Sequence, residues 1–505
     1  MSSAIRMVGI KKTFSDLVAN DKINFELKKG EVHGLLGENG AGKTVLMSIL
    51  YGIYKADEGQ IFVNGKKVQI NNPAKAIELG IGMVHQHFML VPSLTVAENI
   101  ALGREPKKYH FFLDALKAED SVKTLSEHYG LKVNPKSVVR NLPVGLQQRV
   151  EILKALFRGA EILILDEPTS VLTPQEVEGL FSAIRALKLQ NKSVIFISHK
   201  LKEVCAICDR ITVLKKGKVV GTVRTNETNP ENLSEMMVGR RVFSTFRKRD
   251  LKTGKTVFRV DSLKIFDDRK VLVVNELSFE VNEFEILGLA GIEGNGQTEL
   301  VEALVGVRKL ESGQIYLNGK PISDLSAHER IDKGLAKIPE DRQKRGLILD
   351  FSVSENLILG RHYKSPFSTT WWRLDSNEIS VFSDKLIQEY SIKTPSRDTS
   401  VRHLSGGTQQ RVVVAREFSV KPSFVIASQP TRGLDVGATE YVRKKLVEMR
   451  DKGCAIFLIS ADLDEILALS DKIAVIYEGK IVAIKNRNET NEFELGFLMT
   501  GGKSD

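Results

Sequence analysis

The alternation of apolar and polar segments along the chain predicts strands and helices in turn. Two short segments, 160–166 and 192–198, are apolar and rich in β-branched residues, which is typical of strands buried on both faces. The segment 173–190 between them begins with Thr-Pro and repeats apolar residues at helical spacing. This alternation favours a mainly parallel sheet covered by helices, so we expect an α/β fold.

Two further segments carry the signal of a β-hairpin. Segments 58–68 and 312–322 each have an Asn-Gly pair between alternating apolar and polar residues. Their sequences, EGQIFVNGKKV and SGQIYLNGKPI, are closely similar. We therefore expect an antiparallel β portion beside the parallel sheet, and we expect it twice.

The whole chain repeats itself, which indicates two homologous domains. At an offset of 254 residues, GLLGENGAGKT (34–44) lies over GLAGIEGNGQT (288–298). Further along, an offset of 262 places LPVGLQQRV (142–150) over LSGGTQQRV (404–412). The larger offset requires eight extra residues in the second half.

The repeat also predicts the domain boundaries. We expect a first domain at 1–240 and a second at 256–505, joined by a polar, basic linker at 241–255. We expect the eight extra residues near 366–374, a stretch that contains both tryptophans of the chain. These tryptophans either contact a partner or pack within a longer helical subdomain.

Composition narrows the setting of the protein. A chain of 505 residues exceeds the usual size of a single core, in agreement with several domains. It has neither a run of about 18 uncharged apolar residues nor an apolar signal core at its start, so we expect it to stay in the cytoplasm. Three cysteines offer no disulfide framework. The net charge of +10 favours a solubilising surface, and we expect no nucleic acid partner.

A phosphate-binding loop is predicted at GENGAGKT (37–44), which matches the pattern G-x4-G-K-S/T with an apolar strand before it and a helix after it. Its glycines allow successive backbone N–H groups to point at phosphate oxygens. Lys43 is placed to bridge the β- and γ-phosphates, and Thr44 to offer its hydroxyl to Mg²⁺. The predicted nucleotide-binding residues are Gly37, Glu38, Asn39, Gly40, Ala41, Gly42, Lys43 and Thr44.

Two acids, Asp166 and Glu167, lie at the carboxyl end of the strand predicted at 160–166, where ligands bind in an open α/β sheet. Asp166 is placed to hold the metal. Glu167 is placed to orient and polarise an attacking water, as phosphoryl transfer to water requires. His199 ends the strand at 192–198 and is predicted to contact the γ-phosphate.

Together these motifs resemble those of ATP-binding cassette proteins, and the resemblance covers nearly the whole chain, twice over. The motif set, in the chain order of that family, is 37–44, Gln86, Asp166-Glu167, His199 and, in the second half, LSGGTQQR at 404–411. The resemblance implies ATP and Mg²⁺ as cofactors. It also implies that Gln86, the Q-loop residue, binds the metal and acts in catalysis with Lys43, Glu167 and His199.

In that family two cassettes stack head to tail, so each ATP lies between the phosphate loop of one half and the signature of the other. The resemblance therefore implies that Ser405, Gly406 and Gly407 share a nucleotide with the first half. Asp435 matches the family's loop aspartate facing the same site, and Phe14 matches an aromatic residue that stacks on adenine. Every element of this site follows the family pattern.

The second composite site departs from the pattern nearly everywhere. Its phosphate loop keeps Gly291, Gly294, Gly296 and Thr298, but Gln297 replaces the lysine. The other replacements are Glu340 at the Q-loop, Ser428 and Gln429 for the two acids, Ala461 for the histidine, LPVGL (142–146) for the signature and Thr173 for the loop aspartate. Loss of one charge-assisted phosphate contact costs roughly 1.5–3 kcal/mol of binding free energy, which weakens nucleotide binding without abolishing it. Gln429 also replaces the acid that would act as general base. We therefore expect this site to bind nucleotide without hydrolysing it.

Two cassettes in one chain resemble the ATPase subunit of carbohydrate-type importers. The resemblance implies a peripheral position at the cytoplasmic face of the cell membrane, with two integral-membrane permease subunits and an extracytoplasmic solute-binding protein as partners. The stretches 82–99 and 338–347 look most like the nucleoside-importing branch. The alternative cargoes are simple sugars such as ribose or galactose, or a vitamin such as riboflavin. A ribosome-associated tandem-cassette translation factor is a remote alternative, disfavoured by the short linker and the missing acids.

Overall fold

A computed structural model describes residues 2–15, 17–38, 40–85, 88–108, 112–170, 172–238, 248–249, 251–292, 294–370 and 373–502. Asn39, Gln86 and the pair Trp371-Trp372 lie outside these residues, as does most of the first half of the predicted linker 241–255. The chain divides into two compact units, Met1–Val242 (unit 1) and Phe243–Asp505 (unit 2).

Unit 1 alternates strands and helices. Its strands are β1 (Ser3–Phe14), β2 (Leu17–Lys28), β3 (Val32–Gly37), β4 (Glu58–Val63), β5 (Lys66–Val68), β6 (Ile81–Val84), β7 (Lys107–Lys108), β8 (Phe112–Leu113), β9 (Ile162–Asp166), β10 (Ser193–Ser198), β11 (Arg210–Lys215) and β12 (Lys218–Arg224). Its helices are α1 (Lys43–Leu50), α2 (Pro73–Glu78), α3 (Val96–Ala101), α4 (Ala115–His128), α5 (Val144–Phe157), α6 (Pro174–Leu189), α7 (Leu201–Ile207) and α8 (Pro230–Val238), with 3₁₀ turns at Val139–Asn141 and Thr225–Glu227.

The main sheet of unit 1 has the strand order β12-β11-β3-β10-β9-β6. All neighbours are parallel except β11 and β12. A separate antiparallel sheet has the order β2-β1-β4-β5. Strands β3, β9 and β10 are buried along their whole length, which explains their continuous apolar sequences. Their carboxyl ends meet at one edge of the sheet, where an α/β fold binds ligands.

Unit 2 repeats this plan. Its strands are β13 (Thr256–Phe266), β14 (Leu272–Asn282), β15 (Ile286–Ala290), β16 (Ser312–Leu317), β17 (Lys320–Pro321), β18 (Leu335–Ile338), β19 (Ser368–Thr370), β20 (Arg373–Leu374), β21 (Phe424–Ser428), β22 (Ala455–Ile459), β23 (Lys472–Tyr477) and β24 (Lys480–Asn486). Its helices are α9 (Gln297–Leu304), α10 (Ala327–Asp332), α11 (Val353–Ile358), α12 (Ser376–Glu389), α13 (Gly406–Phe418), α14 (Val436–Arg450), α15 (Leu463–Leu469) and α16 (Glu492–Met499), with a π-helical turn at Arg342–Gly346 and 3₁₀ turns at Val401–His403 and Arg487–Glu489.

The sheets of unit 2 have the orders β18-β21-β22-β15-β23-β24 and β14-β13-β16-β17. The predicted α/β fold, with a parallel sheet and an antiparallel portion in each half, is confirmed. The two hairpins are also as predicted: Asn64 and Gly65 have φ of 49° and 80°, and Asn318 and Gly319 have 51° and 74°. These left-handed pairs are what a two-residue hairpin turn with Asn-Gly requires.

The extra residues of unit 2 are distributed along its helical part. The offset is 254 from β6 to β18, 257 from α3 to α11, 261 from α4 to α12 and 262 between the 3₁₀ turns that precede α5 and α13. Three extra residues therefore lie between β18 and α11, four between α11 and α12, and one after α12. The expectation that all eight lie near 366–374 was wrong for the first three and the last one.

The described part of the predicted linker belongs to unit 2 and packs against it. The ammonium of Lys248 donates to the carbonyl oxygens of Leu469 and Ser470, at 3.0 and 2.6 Å, and to Asp471 Oδ1 at 3.0 Å. Lys248 therefore satisfies carbonyl groups at the carboxyl end of α15. Among the described residues, none of the helices combines the length and the apolar character that crossing a bilayer requires.

Candidate nucleotide-binding site

Two glycines of the loop between β3 and α1, Gly37 and Gly42, lie so close to other backbone segments that a side chain at either position would displace them. Gly42 has φ of 98°, and a methyl group on it would come within 2.4 Å of the Ala19 carbonyl oxygen. A methyl group on Gly37 would come within 2.5 Å of the Leu214 carbonyl oxygen. Gly42 also starts α1 without a side-chain cap, so the N–H groups of the first helical turn can serve an anion.

Lys43 lies over this loop. Its ammonium donates to the carbonyl oxygens of Gly37 and Glu38, at 2.7 and 3.1 Å. Burial lowers the pKa of Lys43, and the charges of Glu167 and Asp166 oppose that shift. The ammonium is thus held beside the loop by two carbonyl groups, from which it can turn to phosphate oxygens.

Asp166 is a buried carboxylate at the end of β9. Burial, followed by the charge of Glu167, raises its pKa to about 6, although a hydrogen bond from Thr44 and the charge of Lys43 act in the opposite direction. Thr44 and Asp166 therefore form an oxygen-rich corner whose negative charge is offset only in part by Lys43. Hard cations such as Mg²⁺ prefer such ligands, so the residues fit the predicted metal.

Glu167 and His199 form a pair beside this corner. His199 Nδ1 donates to Glu167 Oε1 over 2.9 Å. Burial raises the pKa of Glu167, but the hydrogen bond and charge of His199, with the charges of Lys43 and Lys200, bring the pKa below its ordinary value. Glu167 is therefore an ionised carboxylate held in one position, as a general base must be.

A partly buried acid, which the sequence motifs did not single out, hydrogen-bonds residues close to this pair in the chain. Glu203 on α7 accepts hydrogen bonds from the hydroxyls of Thr169 and Ser198, at 2.5 and 3.4 Å. Unit 2 keeps the arrangement, because Thr431 donates to the fully buried Glu465 over 2.9 Å. The signal in the sequence was the recurrence of this acid at the offset of 262.

Phe14 ends β1, and the residue is 38% exposed. It packs edge-on against Tyr54 with 5.2 Å between ring centroids, and Lys12 Nζ lies 5.4 Å from its centroid. The neighbouring strand β2 supplies Asn20, whose amide donates to the Gly42 carbonyl over 3.1 Å. Phe14 and the phosphate loop are thus connected through β2.

In unit 2 the corresponding loop opens on a cavity of about 200 Å³. The residues lining it are Gly291, Gly294, Gln297, Thr298, Glu340, Ser428, Gln429, Ile459 and Ser460. Gln297 folds over its loop as Lys43 does, donating to the Ile292 carbonyl over 2.9 Å. The backbone cradle is therefore retained, whereas the lining contains no lysine or arginine, and its acid, Glu340, is paired with Arg432.

The signature residues of unit 2 lie at the start of α13. Ser405 caps this helix, accepting from the Thr408 N–H at 3.4 Å, and Gly406 and Gly407 form its first turn. Asp435 caps α14, and a methyl group on Gly407 would come within 3.5 Å of Asp435 Oδ2. The fold thus brings Asp435 next to the signature of the same unit.

The equivalent helix of unit 1 begins differently. Gly145, at the position of Gly407, donates its N–H to Glu176 Oε1 over 3.1 Å. Glu176 also closes a capping box with Thr173 at the start of α6. An internal carboxylate therefore satisfies the start of α5, whereas unit 2 has Ala438 at the position of Glu176. Thr173 stands out in the sequence as a departure from the family pattern, whereas the contact of Glu176 with Gly145 does not.

The chain matches the family model described as ABC transporter over residues 20–170 and 274–432, which together are more than half of its length. The chain belongs to the ABC transporter family. The predicted tandem of two ATP-binding cassettes is confirmed, and the chain is an ATPase of this family.

Relatives match along the whole chain. A guanosine import ATP-binding protein, NupO of Bacillus subtilis, is 50% identical over 99% of this chain and 98% of its own length. A nucleoside import ATP-binding protein, NupA of Lactococcus lactis, is 47% identical over the same shares. A ribose import ATP-binding protein, RbsA of Geobacillus kaustophilus, is 40% identical over 99% of both chains. The chain is therefore similar to ATP-binding proteins of importers in both halves.

Proposed function

We propose that this chain hydrolyses ATP to drive the import of nucleosides across the cell membrane. The observation that carries the proposal is its full-length similarity to proteins named for guanosine and nucleoside import, at 50% and 47% identity. The ribose import protein matches over the same length at 40% identity, which makes simple sugars the second candidate cargo.

Hydrolysis takes place, in this proposal, at the site of unit 1. The backbone N–H groups of residues 37–44 hold the phosphates, and Lys43 exchanges its contacts with Gly37 and Glu38 for phosphate oxygens. Glu167, held by His199, accepts a proton from the attacking water. A positioned base of this kind contributes roughly 10²–10⁴ in rate.

Thr44 and Asp166 hold Mg²⁺ in this proposal, and Gln86, outside the described residues, is a further ligand and catalytic contact. When bound, the metal stabilises the negative charge on the phosphate oxygens. Asp166 remains ionised near neutral pH once a cation offsets the burial that raises its pKa.

We further propose that Ser405, Gly406 and Gly407 complete this ATP site, that Asp435 supports them, and that Phe14 stacks on adenine. The support is local: Ser405 caps α13, and a helix that begins with two glycines presents its N–H groups without side chains in the way. Replacing Ser405 by Ala is expected to lower the rate of hydrolysis and to leave binding of ATP to the loop at 37–44 in place.

The site of unit 2 binds nucleotide without turning it over. Its cradle of Gly291, Gly294, Gly296 and Thr298 is intact, and Gln297 is a hydrogen-bond donor without charge. Ser428 and Gln429 supply neither a carboxylate for the metal nor a general base. Binding of moderate strength without hydrolysis follows from this combination.

The proposed partners are two integral-membrane permease subunits and an extracytoplasmic solute-binding protein, with this chain at the cytoplasmic face of the membrane. In unit 1 a cavity of about 110 Å³ lies beside His85, the residue before Gln86. Apolar Met83 and Met89 line it together with Glu151 and Lys154. This mixed lining suits a short helix of a permease, so that ATP binding and movement of the permease are linked through the neighbouring Gln86.

Uptake in host cells tests the proposal. Labelled purine and pyrimidine nucleosides are compared with ribose and galactose in cells lacking the gene and in cells complemented with the normal chain or with Glu167→Gln. Loss of nucleoside entry that only the normal chain restores is the expected result. Loss of sugar entry alone would retain the ATPase and overturn the cargo, and unchanged uptake of every solute would overturn the importer assignment.

A further inference from the structure

The π-helical turn Arg342–Gly346 begins with an arginine that has no counterpart in the sequence of unit 1. Asp341 caps the turn, accepting from the N–H groups of Gln343 and Lys344 at 2.9 and 3.0 Å. The turn lies in the stretch between β18 and α11, which is three residues longer than its counterpart in unit 1. The counterpart, residues 85–95, contains no lysine or arginine.

The guanidinium of Arg342 lies against the first residue of α13. A methyl group on Gly406 would come within 2.5 Å of Arg342 Nη2 and 3.3 Å of its Cζ. The planar group therefore approaches the signature closely because Gly406 has no β-carbon. Unit 1 has Val144 at the position of Gly406, whose side chain would not leave this space.

The same guanidinium also contacts the loop that follows β21. Arg342 Nη1 donates to the carbonyl oxygen of Arg432 over 3.0 Å. Arg342 thus bridges the start of α13 and the loop after Gln429. The start of α13 carries the signature, and the loop after Gln429 leads to Asp435, which lies next to it.

Hydrogen bonding satisfies the guanidinium of Arg342 only in part. Among the described residues, its Nε–H is buried and finds no acceptor. Burial also lowers the pKa of Arg342, against the charge of Asp341. A buried donor without a partner is unfavourable and calls for an explanation other than stability.

Two further hydrogen bonds join the turn to α13. Gln343 Nε2 donates to Gln409 Oε1 over 3.1 Å, and Arg416 Nη1 donates to the Gly346 carbonyl over 2.8 Å. On its opposite side the turn is joined to α9, because Arg345 pairs with Glu302 at 2.7 Å. The turn therefore connects the helix after the phosphate loop of unit 2 with the signature helix of the same unit.

We infer that Arg342 is a positioning residue for ATP hydrolysis, which fixes Gly406 and the loop at Arg432 so that the signature can act. The inference rests on the proposed function, in which Ser405, Gly406 and Gly407 complete the ATP site of unit 1. Arg342 acts through the signature in this inference and is not itself assigned a contact with ATP.

The test uses the full-length chain with Arg342→Ala and Arg342→Lys. We expect Arg342→Ala to lower kcat for ATP at least tenfold, with less than a twofold change in the Kd of a fluorescent ATP analogue. Arg342→Lys is expected to recover part of kcat, because an ammonium can still donate to the Arg432 carbonyl. The matched control is Arg345→Ala, which removes an arginine from the same turn without touching α13 and should leave kcat within twofold of normal.

The outcomes separate the inference from the proposed function. If Ser405→Ala lowers kcat but Arg342→Ala does not, the positioning role of Arg342 is overturned and the proposed site stands. If neither change affects kcat, the proposed role of the signature fails as well. A third outcome is that both Arg342→Ala and Arg342→Lys lose kcat and show the same fall in Tm. Arg342 would then serve stability alone, and the inference would be overturned.

Discussion

Glu167 and Gln429 adopt the same left-handed backbone conformation, with φ of 46° and 45°. At both positions the N–H donates to a carbonyl of the neighbouring parallel strand, at 3.0 and 2.7 Å. A residue with a side chain in this region costs of order 1–3 kcal/mol, so the surrounding fold maintains the conformation. The side chains differ: Glu167 accepts from the His199 ring, whereas Gln429 accepts from the N–H of Ala461 at 3.2 Å. The backbone turn is therefore the same in both units, although the side chains differ.

Glu167→Gln should therefore abolish turnover without disturbing the turn. We expect kcat for ATP to fall by roughly 10²–10⁴, because the amide is no general base. Nucleotide binding should change less than about threefold, since the phosphate loop is untouched. Phosphate release and equilibrium binding of ATP in the same preparation measure the two effects.

The control is the reciprocal change in unit 2. Gln429→Glu should leave kcat unchanged, and it should restore no activity to Glu167→Gln, because unit 2 still has Gln297 and Ser428 at the positions of Lys43 and Asp166. Substantial hydrolysis by Glu167→Gln alone would contradict the assignment of the base.

The buried carboxyl group of Asp166 should make the stability of the chain depend on pH. Its pKa is about 6 in the folded chain against an ordinary 3.8. Below pH 3.8 the carboxyl group is protonated in both the folded and the unfolded chain, so it does not affect stability. Above about pH 6 it is ionised in both states, and burial of the charge lowers the free energy of unfolding by roughly 2–3 kcal/mol. Without nucleotide and metal, Asp166→Asn should raise Tm by about 5–10 °C at pH 8 and by little near pH 4.

The matched control for this change is Ser428→Asn in unit 2. Ser428 carries no charge, so its replacement should produce a shift in Tm that does not depend on pH. Differential scanning calorimetry at pH 8 and near pH 4 compares the two variants. If Asp166→Asn raises Tm equally at both pH values, burial of the charge is not the cause of the increase.

The features that could be predicted from the sequence depend on local pattern. The hairpin at Asn64-Gly65 follows from two residues that adopt positive φ, and the loop at 37–44 follows from its glycines and Lys43. The chain's repeat then supplied the assignment of unit 2 by simple offset. Those inferences needed no knowledge of which elements meet in space.

The features that were missed depend on contacts between distant segments. The contact of Glu176 with Gly145 joins residues 31 positions apart, and that of Arg342 with Gly406 joins residues from two separate segments of unit 2. A glutamate at the start of a helix and an arginine in a polar stretch are ordinary features of a sequence, so nothing marked these two residues. The three-residue excess before α11 was also hidden, because the alignment of the halves has no clear similarity there.

The phosphate loop offers a paired test of its glycines. Gly42→Ala meets both a positive φ of 98° and the Ala19 carbonyl at 2.4 Å, whereas Gly40→Ala meets a φ of 79° and open space. We expect Gly42→Ala to raise the Kd for ATP at least tenfold, because the loop must shift, and Gly40→Ala to raise it less. Isothermal titration of both variants makes the comparison, and equal effects would mean that the close approach of Gly42 to Ala19 is unimportant.

The contact of Glu176 with Gly145 predicts that removal of the Glu176 carboxylate tightens nucleotide binding at the site of unit 2. In a Lys43→Ala background, nucleotide binding by the chain reports mainly the site of unit 2. In the head-to-tail arrangement that the family resemblance implies, the start of α5 faces the nucleotide of unit 2. Adding Glu176→Ala would then remove a carboxylate from that helix start and free an N–H for a phosphate, a change of about 0.3–1 kcal/mol or roughly two- to fivefold tighter binding. Glu178→Ala removes the same charge from an exposed position of α6 and should leave the Kd unchanged. An unchanged Kd for Glu176→Ala, with Tm showing the chain folded, would exclude the start of α5 from nucleotide binding and assign the carboxylate to helix capping alone.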